Sequence, residues 1–448
     1  MPQSSLFSTL SFAPLSSPFS SPAKLAPTAA LAALALSVAL VPSAPASADT
    51  PIAAGSEIQV SSITSGVRAL ARSAVDADGN FVVVFEAASP ADGSSYGVFG
   101  RHFDSAGAPM GDDFQINTHT AGLQVFPNIA MRQSGEFVVA WQSYNQDGNT
   151  DFGVFAQLYD SAGAAVGGEL AVNLSTNDYQ GNNSVAFGDD GGFMVIWEHN
   201  TTGLAGEDVL GRLFDSSGTA VGGEIQINTT TASDQNDPRI AARPDGSFVT
   251  VWESYGHDGS GEAVIAQLLN ADGSVNGAEI VVNAFTTNNQ EDPEVTVHPD
   301  GSFIVVWESD AQDGSGETAV GRVFNSDGTP QTDEIVLNTT TAGHQEDVDV
   351  APAADGGFIA TWENGPNSRG QRFDSAGQKM GIEFSIASDL GYQFAPHVEY
   401  APNDRFIISW SGDGCLCAVD ARAKLFDLPF FADGFESGDT TGWSSTTP

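Results

Sequence analysis

Positive charge is scarce in this chain. Of 448 residues, 15 are Lys or Arg and 57 are Asp or Glu, a formal net charge of −42. Phosphate binding needs clustered cations, so DNA, RNA and anionic membrane surfaces are excluded as partners. Cysteine is nearly absent, with only Cys415 and Cys417. Two thiols cannot build a four-ligand structural zinc site by themselves. A bridge between residues two apart would be strained, so a strained local bridge, free thiols and an intermolecular bond all remain open. Long apolar runs are missing after residue 41. The one before it, residues 29–41 (AALAALALSVALV), follows Lys24 and precedes Ala46-Ser47-Ala48. It is too short to span a bilayer comfortably and reads as a secretory signal over residues 1–48, cleaved after Ala48. The expected location is extracellular or at the cell surface. Helical periodicity is also lacking throughout.

A short segment recurs seven times: Phe81–Glu86 (FVVVFE), Phe137–Gln142 (FVVAWQ), Phe193–Glu198 (FMVIWE), Phe248–Glu253 (FVTVWE), Phe303–Glu308 (FIVVWE), Phe358–Glu363 (FIATWE) and Phe406–Ser411 (FIISWS). Starts lie 55 or 56 residues apart, and 48 apart for the last pair. A fixed period of this size marks a repeat architecture. One unit reads as a short run Pro238–Arg243, a Pro244-Asp245-Gly246 turn, a strand Phe248–Glu253, a strand Ala263–Leu269, an Asp272-Gly273 turn and a strand Glu279–Asn283. These are strands a, b, c and d, and four antiparallel strands make one propeller blade. Strand b is apolar on both faces, as face-to-face blade packing requires. Trp141, Trp197, Trp252, Trp307, Trp362 and Trp410 share one place in it and read as core.

The ends carry the argument for closure. Strand d recurs once before the first b strand, at Glu57–Val60, whereas the last repeat has b and c (Ala421–Phe426) but no d. The N-terminal strand should complete the last blade and remove the open edges that invite aggregation. The expectation is an all-β, seven-bladed propeller over residues 49–428, with a tail over 429–448. An open β-solenoid is the alternative.

The unit DGSFVTVWES…DGSGEAVIAQLLNADGS…EIVVN resembles repeats of large secreted bacterial calcium-binding and adhesin-like proteins. The tail segment Asp433-Gly434-Phe435-Glu436-Ser437-Gly438-Asp439…Trp443 resembles the "DGFESGD…W" tail of secreted bacterial proteins. The first resemblance implies a fold and a compartment but no common catalysis.

The d-to-a and b-to-c loops emerge on one face of a propeller. In the d-to-a loops a glutamine recurs at Gln124, Gln180, Gln235, Gln290, Gln345 and Gln393, with Arg68 in its place in the first repeat. These form a candidate ligand face. Asp237, Asp292 and Asp347 follow two residues on, with Asn182 in the third blade, and Glu291 and Glu346 add oxygen. Asp237, Glu291, Asp292, Glu346 and Asp347 are therefore candidate ligands for a hard cation such as Ca²⁺. The competing reading is that Gln caps backbone groups once per blade. The Asp-Gly pairs of the b-to-c loops lack the ligand spacing of an EF-hand and fit turn chemistry. The residues ending strand b and the long polar residues of strand c suggest Glu–Arg pairs 86 with 101, 198 with 212 and 308 with 322.

Signals for catalysis are poor. Gly93-Ser94-Ser95-Tyr96-Gly97 matches G-x-S-x-G but lies in a loop, away from a strand-to-helix elbow. The seven histidines show no metal-ligand spacing. The function expected is a secreted, monomeric, non-enzymatic propeller binding a protein or glycan on its loop face, with or without Ca²⁺. The alternatives are an extracellular polysaccharide hydrolase or lyase working at the channel mouth, and a purely structural envelope or matrix protein.

Overall fold

The computed structural model describes residues 49–63, 66–88, 95–148, 151–176, 178–200, 206–387, 391–413 and 419–428. Residues 1–48, read above as a secretory signal, the tail, Cys415 and Cys417, and Gly93 and Ser94 lie outside them. Among the described residues every regular element is a strand. No helix there is long and apolar enough to cross a membrane.

The strands form seven antiparallel sheets, each a blade. The a strands are Arg68–Val75, Gln124–Met131, Tyr179–Phe187, Gln235–Ala242, Gln290–Val297, Gln345–Pro352 and Gln393–Ala401. The b strands run Phe81–Ala88, Phe137–Tyr144, Phe193–Asn200, Phe248–Tyr255, Phe303–Asp310, Phe358–Asn364 and Arg405–Asp413. Strand a therefore begins three residues earlier than its sequence suggests, and the recurring glutamine stands in the strand, as its first residue or, in blade 3, its second, instead of sitting in the loop. The pattern is hidden by a β-bulge. In blade 4, Asn236 pairs Glu253 and Arg239 pairs Val251, so two residues face Trp252 alone. The first of them, Asp237, takes φ +47°, and Pro238 follows. A bulge is one of the few places where a sheet accepts proline, and the bulge breaks the alternation that marks a strand in sequence.

Alternation along strand b builds the core. Phe248 and Trp252 pack with blade 3 residues Met194 and Ile196. Val249 and Val251 pack with Phe303, Val305 and Trp307 of blade 5. Each inter-blade cluster therefore takes alternate residues from two neighbours. Phe opening b stacks on the aromatic ending c, as Phe303 on Phe324 at 5.0 Å and Phe358 on Phe373 at 4.6 Å.

The ring closes as the chain ends suggest. Ile58 and Gln59 pair Ala423 and Arg422 of the last c strand. Ile52 and Ala53 add a second short pairing, to Asp427 and Phe426. Blade 7 thus has three C-terminal strands and an N-terminal fourth.

The Glu–Arg pairs do not form. Glu308 lies opposite Ala319 and Arg322 opposite Val305. Positions 305 and 308 differ by an odd number, which places the two side chains on opposite faces of the sheet. Arg101, Arg212 and Arg322 instead reach back to the preceding blade, donating to the carbonyls of Val60 (3.0 Å), Val172 (2.9 Å) and Val282 (2.8 Å).

Candidate functional site: an acidic arc at the channel mouth

The bulge sets one backbone position per blade in left-handed conformation: Leu70, Phe126, Asn182, Asp237, Asp292, Asp347 and Ala395. Asp and Asn tolerate this region better than most residues because their short polar side chains bond locally. Near the bulge residues stands the residue that follows the Trp or Phe of strand b in the preceding blade. Glu253 accepts a hydrogen bond from the Asp292 N–H at 2.6 Å, and Glu308 accepts one from the Asp347 N–H. Within blade 3 itself, Asn182 Nδ2 donates to Glu198 at 2.7 Å. The Leu70 N–H donates to Ser411 Oγ at 2.9 Å across the ring closure.

Glu198, Asp237, Glu253, Asp292, Glu308, Asp347 and Glu363 therefore follow one another around the mouth. Their acidities show the crowding. Burial, then Glu207 and Asp237, push Glu198 up to about 8. Burial, then Asp347 and Glu346, push Glu363 up to about 8. Asp292 meets solvent on one side, yet burial in the channel wall, then Asp237 and Asp347, raise it to about 7. Burial, then Asp237 and Asp292, raise Glu253. Desolvation and like charge act in the same direction, and both disfavour the ionised form.

Of the five carboxylates proposed as ligands, the structure unites Asp237 with Asp292. Glu253 joins them, and the ligand atoms of the three lie within 4.8 Å of one another. Glu346 falls in a different group, with Glu317 and His344. Glu291 accepts from Asn289 Nδ2 at 2.8 Å. Asp347 Oδ2 accepts from the Ala395 N–H at 3.2 Å, one blade further on. Glu253 is one of the residues ending strand b, which the sequence offers as cross-strand or inter-blade partners. The signal that it belongs to the mouth was its place one residue beyond Trp, one repeat ahead of the bulge Asp292.

The glutamines and Arg68 lie deeper. All are buried. Trp197, Trp252 and Trp307 donate their indole N–H to Gln180 (2.7 Å), Gln235 (2.8 Å) and Gln290 (3.0 Å). Gln345 and Gln124 accept from Asn338 (2.8 Å) and Asn117 (3.2 Å). Gln393 accepts from the Ser368 N–H. Arg68 pairs with Asp420 and donates to the Gly66 carbonyl. The Asp of the b-to-c loops serves turns: Asp258 takes the Ser260 N–H at 3.0 Å and Asn283 Nδ2 at 2.8 Å.

Below the arc is a cavity of about 440 Å³, lined among others by Arg72, Asn128, Ser184, Arg239, Glu294, Asp349, His397 and Glu399. The first seven stand at one register, four residues after Arg68 or the recurring glutamine. Arg239 Nε lies 2.7 Å from Glu294 Oε1. Asp349 accepts the Val398 N–H at 2.7 Å. Burial, then Asp349, push Glu399 up to about 8, and burial, then Arg72, hold His397 well below the usual imidazole range. Sequence reading passed over this register because its residue types differ from blade to blade. A repeat search rewards sameness, and irregularity was the signal.

No family model matches the chain, and no curated protein matches it. Solved structures do. A Dyadobacter fermentans protein of unknown function superposes with TM-score 0.53 at 10% identity, covering 86% of this chain and 100% of that one. The polysaccharide lyase Uly1 gives 0.54 at 8% identity, covering 84% and 100%. The Dos1 propeller gives 0.47 at 10% identity, covering 86% and 96%. At these identities the likeness is one of fold.

Proposed function

We propose that this chain is an exported propeller that loads Ca²⁺ on the carboxylate arc and binds an extracellular glycan there. One observation carries the reading. Asp237, Glu253 and Asp292 converge at the channel mouth, and among the described residues no Lys or Arg forms an ion pair with them. Carboxylates kept this close stay protonated or take up a cation. Three carboxylates satisfy part of the six to eight oxygens Ca²⁺ prefers, leaving positions for ligand oxygens such as sugar hydroxyls. The fold likeness to a polysaccharide lyase supports a carbohydrate over a protein as the ligand class. Export rests on the apolar run and the Ala-Ser-Ala site of residues 29–48.

The test is thermal melting with Ca²⁺, with Mg²⁺ and with chelator. A ligand that binds only the native state raises the midpoint with its concentration. Ca²⁺ should raise it; the combined Asp237→Asn, Glu253→Gln and Asp292→Asn variant should abolish the rise and also Ca²⁺-dependent retention on immobilised polysaccharides. No shift at millimolar Ca²⁺ would overturn the cation, and retention in chelator would place glycan binding elsewhere.

A second reading is favoured by the cavity. Asp349, His397 and Glu399 are titratable groups with displaced acidities in one polar chamber, a pattern concentrated at catalytic sites. On it the chain is an extracellular polysaccharide hydrolase or lyase. Product formation lost in His397→Asn and Glu399→Gln would support it; unchanged turnover in both would end it.

A further inference from the structure

The blade 5 to blade 6 junction carries a second cluster. Glu317 opens the c strand Glu317–Phe324 of blade 5, His344 immediately precedes strand a of blade 6, and Glu346 is the second residue of that strand. The His344 Nδ1 lies in hydrogen-bonding contact with Glu317 and 3.4 Å from Glu346 Oε1. One ligand atom from each residue lies within 4.8 Å of the other two.

The scaffold for this cluster is built three times. Gly206, Gly261 and Gly316 each precede the glutamate that opens strand c, and each presses on the loop leading into the next blade. A Cβ there would sit 2.3 Å from the Ser233 oxygen, 2.8 Å from the Asn288 oxygen and 2.4 Å from the Gly343 oxygen respectively. All three glycines have positive φ, at +107°, +42° and +59°. The same approach thus brings Glu207 beside Asp234, Glu262 beside Asn289 and Glu317 beside His344. The first two junctions offer only oxygen and amide groups. Asn289 occupies itself with Glu291 at 2.8 Å and with the Glu262 N–H at 3.3 Å. Only the third of these presents an imidazole between two carboxylates.

We propose that Glu317, His344 and Glu346 form a binding site for a divalent first-row transition ion, of the Zn²⁺ type, that staples blade 5 to blade 6. Imidazole selects Zn²⁺, Cu²⁺, Ni²⁺ or Co²⁺ over Ca²⁺, which takes oxygen ligands. The set differs in kind from the all-oxygen group at Asp237, Glu253 and Asp292. Two of its ligands sit at strand ends and His344 immediately before one, so little ordering accompanies binding. Without metal, Nδ1 carries a hydrogen toward the carboxylates. A metal at Nδ1 takes its place, and the hydrogen moves to Nε2, on a ring more than half exposed. Three protein ligands leave a fourth position open to water or to an oxygen of a bound partner.

The experiment uses the full chain without a histidine tag and Co²⁺ as the optical probe, with Zn²⁺ calorimetry beside it. The wild type should develop the visible bands of a Co²⁺–imidazole site, and equimolar Zn²⁺ should bleach them. His344→Asn, which writes in the residue of the preceding junction, and Glu317→Gln should each remove the bands while keeping the wild-type melting midpoint in chelator and the Ca²⁺ response. The triple variant at Asp237, Glu253 and Asp292 should keep the bands, so the two sites fail independently. No bands in the wild type, or bands and Zn²⁺ heat undiminished in His344→Asn, would overturn the site and leave a simple imidazole–carboxylate contact.

Discussion

At the scale of single residues the repeat is written in hydrogen bonds that must be satisfied away from water. The indole of Trp252 is fully buried, and its N–H has one partner, Gln235 Oε1. Trp252→Ala should destabilise by about 3–5 kcal/mol through the cavity it leaves. Gln235→Leu keeps the volume roughly but orphans the indole N–H, and should cost about 1–3 kcal/mol. Urea denaturation curves check both, and an unchanged midpoint in Gln235→Leu would show that the hydrogen bond is not the reason for glutamine. The same logic covers Asn at the end of the d segment. Asn228, Asn283, Asn117 and Asn173 each accept an N–H from strand c at 2.8–3.0 Å, which is why the EIQIN and EIVVN signatures end in asparagine.

Among elements, blades are joined by carboxylates as well as by apolar contact. Glu279 accepts from Thr229 N–H at 2.5 Å, Thr230 N–H at 2.9 Å and Thr230 Oγ1 at 2.6 Å, all one blade away. Glu169, Glu224 and Glu334 repeat the arrangement, with Asp113 in the first blade, where it accepts the Ser62 N–H at 2.9 Å. Hydrogen bonds to a charged group are each worth about 1.5–3 kcal/mol, less at a solvent-exposed loop. Glu279→Ala should lower stability by about 1–2 kcal/mol on that basis and raise amide exchange at Thr229 and Thr230. Unchanged exchange there would show that the clasp is incidental. The bulge at Asp237-Pro238 is the other inter-blade device, because it turns the backbone N–H of one blade toward the glutamate of the last.

For the whole molecule, closure and charge decide stability. Removing residues 49–61 deletes both N-terminal strands that pair the last c strand and reopens a sheet edge. The truncated chain should unfold at lower temperature and self-associate, checked by light scattering during the melt. The acidic arc adds a pH dependence. Glu198 and Glu363 titrate near 8 when folded, against an ordinary value of 4.5. Between those limits the folded chain holds more protons than the unfolded one, so raising the pH through this window removes stability. In chelator the melting midpoint should fall from pH 5 to pH 8. Ca²⁺, by stabilising the ionised groups, should flatten that slope. A midpoint rising with pH in chelator would show that the arc does not govern stability.

The period, the two-faced strand b and the surplus d segment at the N-terminus were enough to determine a closed seven-bladed ring, because repetition and burial are local facts of composition. Trp, Phe and the Asp-Gly turns carried that information without any knowledge of neighbours. Whether Glu308 meets Arg322 or the Asp347 backbone was not local. It depended on a register in which an odd offset separates the two faces. The bulge likewise moved the glutamines from a supposed loop into the wall, where the indoles of Trp197, Trp252 and Trp307 meet Gln180, Gln235 and Gln290. The arc, the polar chamber around His397 and the junction at His344 bring together residues tens or hundreds of positions apart. Only ring geometry sets such distances, so these groupings belonged to the tertiary structure alone.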